Sequence, residues 1–408
     1  MNWLQRFNTF CFLDNHQYQI QPHSKECLVA AGCKSKIDEE NGSALEHLRA
    51  FINSNRNKWL FGHINYDLKN ELEQLSSKHT DLVRFPQLFF FEPSIVMQIN
   101  ERDIRIEAED PQAVFNEINR IEAGDENRQT KESLAIRQRL QKEEYISIIQ
   151  KLQEHILRGD CYEINFCQEF YAEDVALNPL AVYKKLSNIS PNPFSALYRL
   201  HDKWLLCASP ERFLKKEGKK IMAQPIKGTA GRVQANKVLD EQSKLDLLRS
   251  AKDRSENVMI VDLMRNDLSK ICEEGTVKVD ELYGIYSFPQ VHQMISTISG
   301  KLKAGIEFPD IIRATFPMGS MTGAPKKRVM ELIELYETTR RGIFSGTVGY
   351  IAPNGDFDFN VIIRSIMYNA SSGYLSFQTG SAITFYSNPE NEWEECLLKA
   401  DAMAKCFQ

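Results

Sequence analysis

The dipeptide Asn354-Gly355 sits between two alternating apolar runs, 345–351 and 361–368. Asn-Gly supplies the positive-φ positions of a tight connection, and a tight connection joins antiparallel strands. Further strand-like runs lie at 87–91, 94–99, 194–198, 204–208 and 374–377. Chains built from hairpins make antiparallel sheet, so the expected class is α+β rather than a doubly wound parallel sheet. Two helices stand out. Tyr145, Ile148, Ile149, Leu152 and Ile156 form one apolar stripe, closed by Gly159-Asp160. Asn388 is placed as an N-cap with Pro389 in the first helical position. Trp393, Cys396, Leu397, Ala400, Ala404 and Phe407 then make a buried stripe, and Glu392, Glu395 and Lys399 share a second face.

The chain has 408 residues, 42% hydrophobic and 26% charged. That composition excludes extended disorder and fibrous repeats. Its 50 basic and 55 acidic residues leave a net charge of −5, against a general nucleic-acid binder. The nine cysteines show no C-x-x-C spacing, which argues against a zinc ribbon or a thioredoxin-like motif. No apolar run approaches the roughly 20 residues of a membrane span, and the first residues do not read as a signal peptide. The expectation is a reduced, cytoplasmic protein. The polar stretch 122–141 reads as a linker or exposed helix. It divides an N-terminal portion, 1–135, from a region 136–408 whose motifs build one site from distant segments. The two are expected to form one intertwined unit.

Four features carry chemistry. In 319–328, GSMTGAPKKR, Pro325 opens a helix with Lys326, Lys327 and Arg328 in its first turn. Cations there oppose the helix dipole, so the pattern suits either an anionic ligand or a solvated helix start. Lys227, in QPIKGT, is a candidate nucleophile if burial or a cationic neighbour lowers its pKa; locally it also reads as a surface lysine in a turn. The pairs Asp253/Glu256 and Glu392/Glu395 are each three apart, the spacing of surface acids or of an oxygen-rich Mg²⁺ site. The run 259–264 is open between strand and helix. His292 in VHQM is of interest only if it reaches the same site.

In order along the chain stand GDCYEINFCQEF (159–170), SPERF (209–213), PIKGT (225–229), DRSENVMIVDLMRNDL (253–268), VHQMIS (291–296), GSMTGAPKKRVMELI (319–333), GTVGYI (346–351), IIRSI (362–366) and EWEECLLKA (392–400), with FGHINYD (61–67) upstream. This set resembles the chorismate-utilising enzymes, which include anthranilate, aminodeoxychorismate, isochorismate and salicylate synthases. The resemblance implies a four-layer α/β/β/α sandwich with two packed antiparallel sheets. It implies Mg²⁺ on Glu256 and Glu395, with Asp253 and Glu392 acting through its waters. Arg364, Tyr350, Thr322-Gly323, Gly380 and Lys399 would hold the carboxylates of chorismate. Thr229 and His292 would lie beside the substrate, and Glu211 would be the general acid.

Lys227 points to the aminodeoxychorismate branch, since anthranilate and isochorismate synthases usually carry Ala there. The implied chemistry is attack by neutral Lys227 on C2 with loss of the C4 hydroxyl. Ammonia from a separate glutamine amidotransferase subunit then displaces Lys227 to give 4-amino-4-deoxychorismate, a precursor of p-aminobenzoate and folate. The alternatives are an anthranilate synthase component I and a non-catalytic chorismate-binding regulatory subunit. The chain departs from the family pattern in three places. Glu163 stands where amine users carry Gln and water-activating members Lys, GTAGR replaces GTRPR, and TGSAI at 379–383 replaces a more Gly-rich loop.

Overall fold

The computed structural model describes residues 1–18, 25–40, 42–121, 134–288 and 291–408. Most of the polar stretch read as a linker, 122–133, lies outside them; of the remainder, Arg137–Gln138 forms a short strand against the 163–172 strand.

Two large antiparallel sheets dominate. Among the described residues one has eleven strands and the other ten. The first runs from Gly323–Ala324 through Glu163–Ala172, Tyr374–Ile383, Ser365–Asn369, Lys203–Ser209, Phe194–Leu200 and Thr9–Asp14 to Cys27–Ala31, Ile95–Ile99 and Ile104–Glu107. The second runs from Ile226–Gly231 through Val291–Lys301, Lys220–Gln224, Arg212–Glu217, Phe357–Asn360 and Thr347–Ile351 to Leu60–Ile64, Leu88–Glu92 and Ser35–Glu39. Strands from the N-terminal portion enter both sheets: Thr9–Asp14 pairs with Phe194–Leu200, and Leu60–Ile64 with Thr347–Ile351.

Alternation along the strands explains the layering. Cys11, Leu28, Ala30, Tyr198, Leu205 and Cys207 face one apolar cluster, which also holds Phe61, Phe89 and Phe91 of the second sheet. Their neighbours Phe10, Val29, Ala31, Leu197, Trp204 and Leu206 face another. Successive side chains point to opposite faces, so a strand apolar at every position is buried on both. The outer face of the first sheet is covered by the helices Lys142–Leu157, Pro179–Ile189, Lys326–Tyr336 and Pro389–Ala404. Ala44–Ser54, Ala251–Ile271 and Phe308–Thr315 pack with the cluster of the second sheet. The result is the α/β/β/α sandwich.

The hairpin at Asn354-Gly355 joins Thr347–Ile351 to Phe357–Asn360, with Gly355 at φ +79°. The run read as one strand over 361–368 is broken. Extended structure resumes only at Ser365, and Arg364 adopts φ +50°. The ambiguous run 259–264 is helical, inside Ala251–Ile271. Its buried residues Glu256, Ile260, Val261, Met264, Asp267, Leu268 and Ile271 recur at helical spacing. Asn388 caps the last helix by accepting from the N–H groups of Glu390 and Asn391. Pro325 is the N-cap of its helix rather than the first helical residue.

Candidate active site

Lys227 lies at a register shift between Ile226 and Thr229, where its strand bulges from the 291–301 strand. Gly228 makes the bulge possible. It has φ +95°, and a Cβ there would approach Asp253 Cβ to 3.0 Å, so the start of helix Ala251–Ile271 comes close only because glycine is present. Opposite stand Glu163 and Asn165, two apart on the edge region of the first sheet and therefore on one face. Lys227 Nζ donates to Glu163 Oε1 at 2.7 Å and to Asn165 Oδ1 at 3.2 Å. Lysine, glutamate and asparagine are all buried.

The charges gathered around Lys227 oppose the effect of its burial. Burial by itself pulls the Lys227 ammonium pKa down, but Glu163, Glu256 and Glu211 outweigh it, and the net shift is upward. Glu211 is the complementary case. Burial pushes its carboxyl up to about 7 against the opposing pulls of Ser320 and Lys227. Ser320 Oγ donates to Glu211 Oε1 at 2.6 Å. The site thus pairs a cation with a carboxylic acid poised near neutrality, an arrangement suited to proton delivery.

The GSMTGAP segment docks onto the same strand. Gly323 pairs with Ile164 at φ +137°, and a Cβ there would stand 2.1 Å from the Glu163 carbonyl oxygen. Only glycine fits this approach. Thr322 is buried; its carbonyl accepts from the Asn165 N–H, and its own N–H is bonded to Gly319. Two of the three cations after Pro325 are already paired within the protein. Lys326 Nζ pairs with Asp267 at 2.6 Å and the Thr315 carbonyl, and Arg328 pairs with Glu331 and Asp160.

The four carboxylates come from two facing helices. Lys252 Nζ lies 3.9 Å from Glu256 Oε1 and 3.4 Å from Glu392 Oε1, so one ammonium bridges them. Burial raises the Glu256 carboxyl to about 7. Glu256 Oε1 and Glu392 Oε2 are buried without a hydrogen-bond partner. Glu395 pairs with Lys399 at 2.7 Å, and Lys399 also donates to the Gly380 carbonyl at 2.9 Å. Among the described residues no three His, Cys, Asp or Glu side chains gather closely enough to hold an ion. The donor set is nevertheless right in kind for a hard divalent cation: all oxygen, anionic, with one buried oxygen each on Glu256 and Glu392 that lacks a hydrogen bond among the described residues.

Arg364 is the other unmet charge. Its half-buried guanidinium has no ion-pair or hydrogen-bond partner among the described residues, and burial alone pulls its pKa down. Thr229 and Asp253 line an open cleft of about 480 Å³ together with Leu239, Gln242 and Ser250.

Tyr350 and His292 have their own neighbours, and His292 pairs in register with Ala230, next to Thr229. The Tyr350 ring packs on Trp59 and Phe61 and lines a separate cavity of about 40 Å³ with Leu13, Lys25 and Ser195. On its strand Tyr350 pairs in register with Phe61 on one side and Asp358 on the other. The His292 imidazole is bonded to Ser287 Oγ (2.8 Å) and Asp240 Oδ1 (3.3 Å), so it faces the start of helix Lys237–Arg249. Asn165, Ser320 and Lys252 were not foreseen. Asn165 was findable, since it shares a strand face with Glu163; nothing local marks Ser320.

The sequence signature described as chorismate binding enzyme matches residues 9–405. An aminodeoxychorismate synthase component 1 of Klebsiella aerogenes is 34% identical over 84% of this chain and 75% of its own length. The anthranilate synthase component I-like protein of Synechocystis is 32% identical over 86% and 72%. A probable chloroplastic aminodeoxychorismate synthase of rice is 41% identical over 65% of this chain but 30% of its own length. The corresponding component 1 of Bacillus subtilis is matched over 54% of its length, so the chain spans only 30% of the rice protein and about half of the Bacillus one. Anthranilate synthase component I from Streptococcus pneumoniae superposes with a TM-score of 0.82 at 24% identity, over 95% of this chain and 94% of that one. The match along almost the whole sequence, on a fold shared with that synthase, makes this chain a member of the chorismate-binding enzyme family.

Proposed function

We propose that this protein is an aminodeoxychorismate synthase component I, converting chorismate and ammonia to 4-amino-4-deoxychorismate. The observation that carries the reading is Lys227, buried and hydrogen-bonded beside a carboxylic acid, in a family whose aminodeoxychorismate branch carries lysine there. Chorismate is a dianion, and Arg364 is a cation without a partner among the described residues, suited to one of its carboxylates. Glu256, Glu395, Asp253 and Glu392 would hold Mg²⁺, which when bound would neutralise the ring carboxylate. Lys399 and the Thr322-Gly323 and Gly380 backbone complete the substrate contacts once Lys399 leaves Glu395.

The resting ammonium of Lys227 must first lose a proton. Glu163 Oε1, 2.7 Å away, is its acceptor. The freed amine attacks C2, the C4–O bond breaks, and Glu211 protonates the departing hydroxyl as water. Ammonia then forms the C4–N bond as the C2–Nζ bond breaks and its electron pair returns to Lys227. Glu163 gives the proton back to the lysine, and one proton of the new ammonium group restores Glu211. Ammonia is supplied by a separate glutamine amidotransferase subunit. The setting we assign is cytoplasmic: the described cysteines are all free, seven of the nine buried, and no helix of the described residues is long and apolar enough to cross a membrane.

The test is chorismate with ammonium and Mg²⁺, products separated by chromatography. Aminodeoxychorismate is expected; anthranilate, isochorismate or salicylate as the product overturns the assignment.

A further inference from the structure

Ser320 is buried on the short 3₁₀ turn Gly319–Met321, 109 residues along the chain from the Glu211 side chain that its hydroxyl meets. The turn is pinned. The Met318 carbonyl accepts from the Met321 N–H and from Thr322 Oγ1, and the buried guanidinium of Arg341 donates to the Met321 carbonyl at 2.7 Å. A Cβ on Gly319 would stand 2.4 Å from Leu263 Cδ2, so glycine lets the turn sit directly on the helix Ala251–Ile271. The Glu211 backbone is fixed as well: its N–H donates to Ser209 Oγ, and its carbonyl accepts from the Val361 N–H. What can still rotate on each side is the side chain, and the 2.6 Å bond from Ser320 Oγ to Glu211 Oε1 ties the two together. Hydroxyls bonded to an ionised oxygen stand at about that distance, roughly 2.5–2.7 Å.

We propose that Ser320 is the positioning residue of the general acid: its hydroxyl orients the Glu211 carboxyl toward the departing C4 hydroxyl and stabilises the carboxylate that proton transfer leaves. This rests on the proposed aminodeoxychorismate chemistry and adds to it a residue that acts through the acid. In that step the C2–Nζ bond forms, the C4–O bond breaks, and the Glu211 proton leaves with the oxygen as water. Glu211 is left as a buried carboxylate, the form its surroundings disfavour most. The serine has one hydrogen to donate and aims it at that group, so the bond strengthens as the proton departs. An interaction stronger in the transition state than before it is one that lowers a barrier. Donation to Oε1 also leaves the acidic proton to the other oxygen, which fixes the one that delivers it. The charge balance agrees. Burial raises the Glu211 carboxyl to about 7, while Ser320, the Lys227 ammonium on the Ile226–Gly231 strand and the Ile226 N–H pull it back. Without the hydroxyl the acid holds its proton to higher pH and releases it less readily.

The test is a cycle of four full-length proteins: wild type, Ser320→Ala, Glu211→Gln and the double variant. Each is assayed for aminodeoxychorismate with chorismate, ammonium and Mg²⁺ at saturation. Ser320→Ala should lower kcat about 10–100-fold, the loss expected for one hydrogen bond to a charged group, with the chorismate KM changed less than about threefold. The alkaline limb of its kcat profile should move to higher pH. In the Glu211→Gln background, where no proton is delivered, the same substitution should change kcat less than about twofold. Equal losses in both backgrounds overturn the proposal, because a serine that merely supports its turn would act without Glu211. An undiminished kcat in Ser320→Ala, or an unmoved alkaline limb, overturns it as well. If Ser320→Ala does not fold, Ser320→Cys, a weak donor of nearly the same shape, takes its place in the cycle. A wild type that yields no aminodeoxychorismate would instead overturn the proposed function itself.

Discussion

Glu211→Gln should make this protein more stable and much less active, and the gain should depend on pH. Glu211 is 4% exposed, and burial raises its carboxyl from an ordinary 4.5 to about 7. Between those values the native protein keeps a proton that the unfolded chain has released. Stability then falls as pH rises, because the unfolded state binds fewer protons. The shift corresponds to about 3 kcal/mol, at 1.36 kcal/mol per pKa unit, spent fully above about pH 7. Glutamine has nearly the same shape, still accepts from Ser320 Oγ and carries no charge to bury. Urea unfolding of both proteins without added metal, at pH 5 and pH 8, isolates this group, because Glu256 titrates in both and cancels. The variant should gain about 2–3 kcal/mol over wild type between the two pH values. Its turnover should fall roughly 10²–10⁴-fold for want of a proton for the leaving hydroxyl. Parallel stability curves would refute the claim that Glu211 is held as an acid by burial.

Three further outcomes follow from the same geometry. Lys227→Ala should abolish turnover and cost about 3–5 kcal/mol of stability by leaving Glu163 unpaired; adding Glu163→Gln should restore part of that, as a double-mutant cycle in urea would show. Arg364→Gln should weaken chorismate binding about 10–100-fold by calorimetry without lowering the unfolding midpoint, since the arginine has no side-chain partner among the described residues. Gly323→Ala should cost at least about 3 kcal/mol, read from thermal or urea unfolding, because a Cβ would stand 2.1 Å from the Glu163 carbonyl oxygen on a backbone at φ +137°.

What the sequence disclosed was local. Asn354-Gly355 requires a turn wherever it falls, and Asn388-Pro389 opens a helix by its own hydrogen bonds. Alternation along each strand was legible for the same reason. The 361–368 run misled because it is apolar on both sides of a break, and the break comes from the backbone turn at Arg364 rather than from a Gly or Pro. Longer-range pairings were hidden. Lys326 looked like an anion-binding cation because Asp267, its partner, lies 59 residues away. His292 reads as an isolated histidine until Asp240, on another element, reaches its ring. The upward shift at Lys227 is hidden for the same reason: burial alone lowers it, whereas Glu163, Glu211 and Glu256 converge on it from three separate segments.

The claim that Lys227 is the covalent nucleophile is tested most directly by intact-protein and peptide mass spectrometry. Enzyme would be incubated with chorismate and Mg²⁺ in the absence of ammonium and quenched in acid. The account predicts a gain equal to chorismate less one water, located on Lys227, which disappears when ammonium is added before the quench. Aminodeoxychorismate formed at the wild-type rate with no such adduct, or by Lys227→Ala, would contradict it.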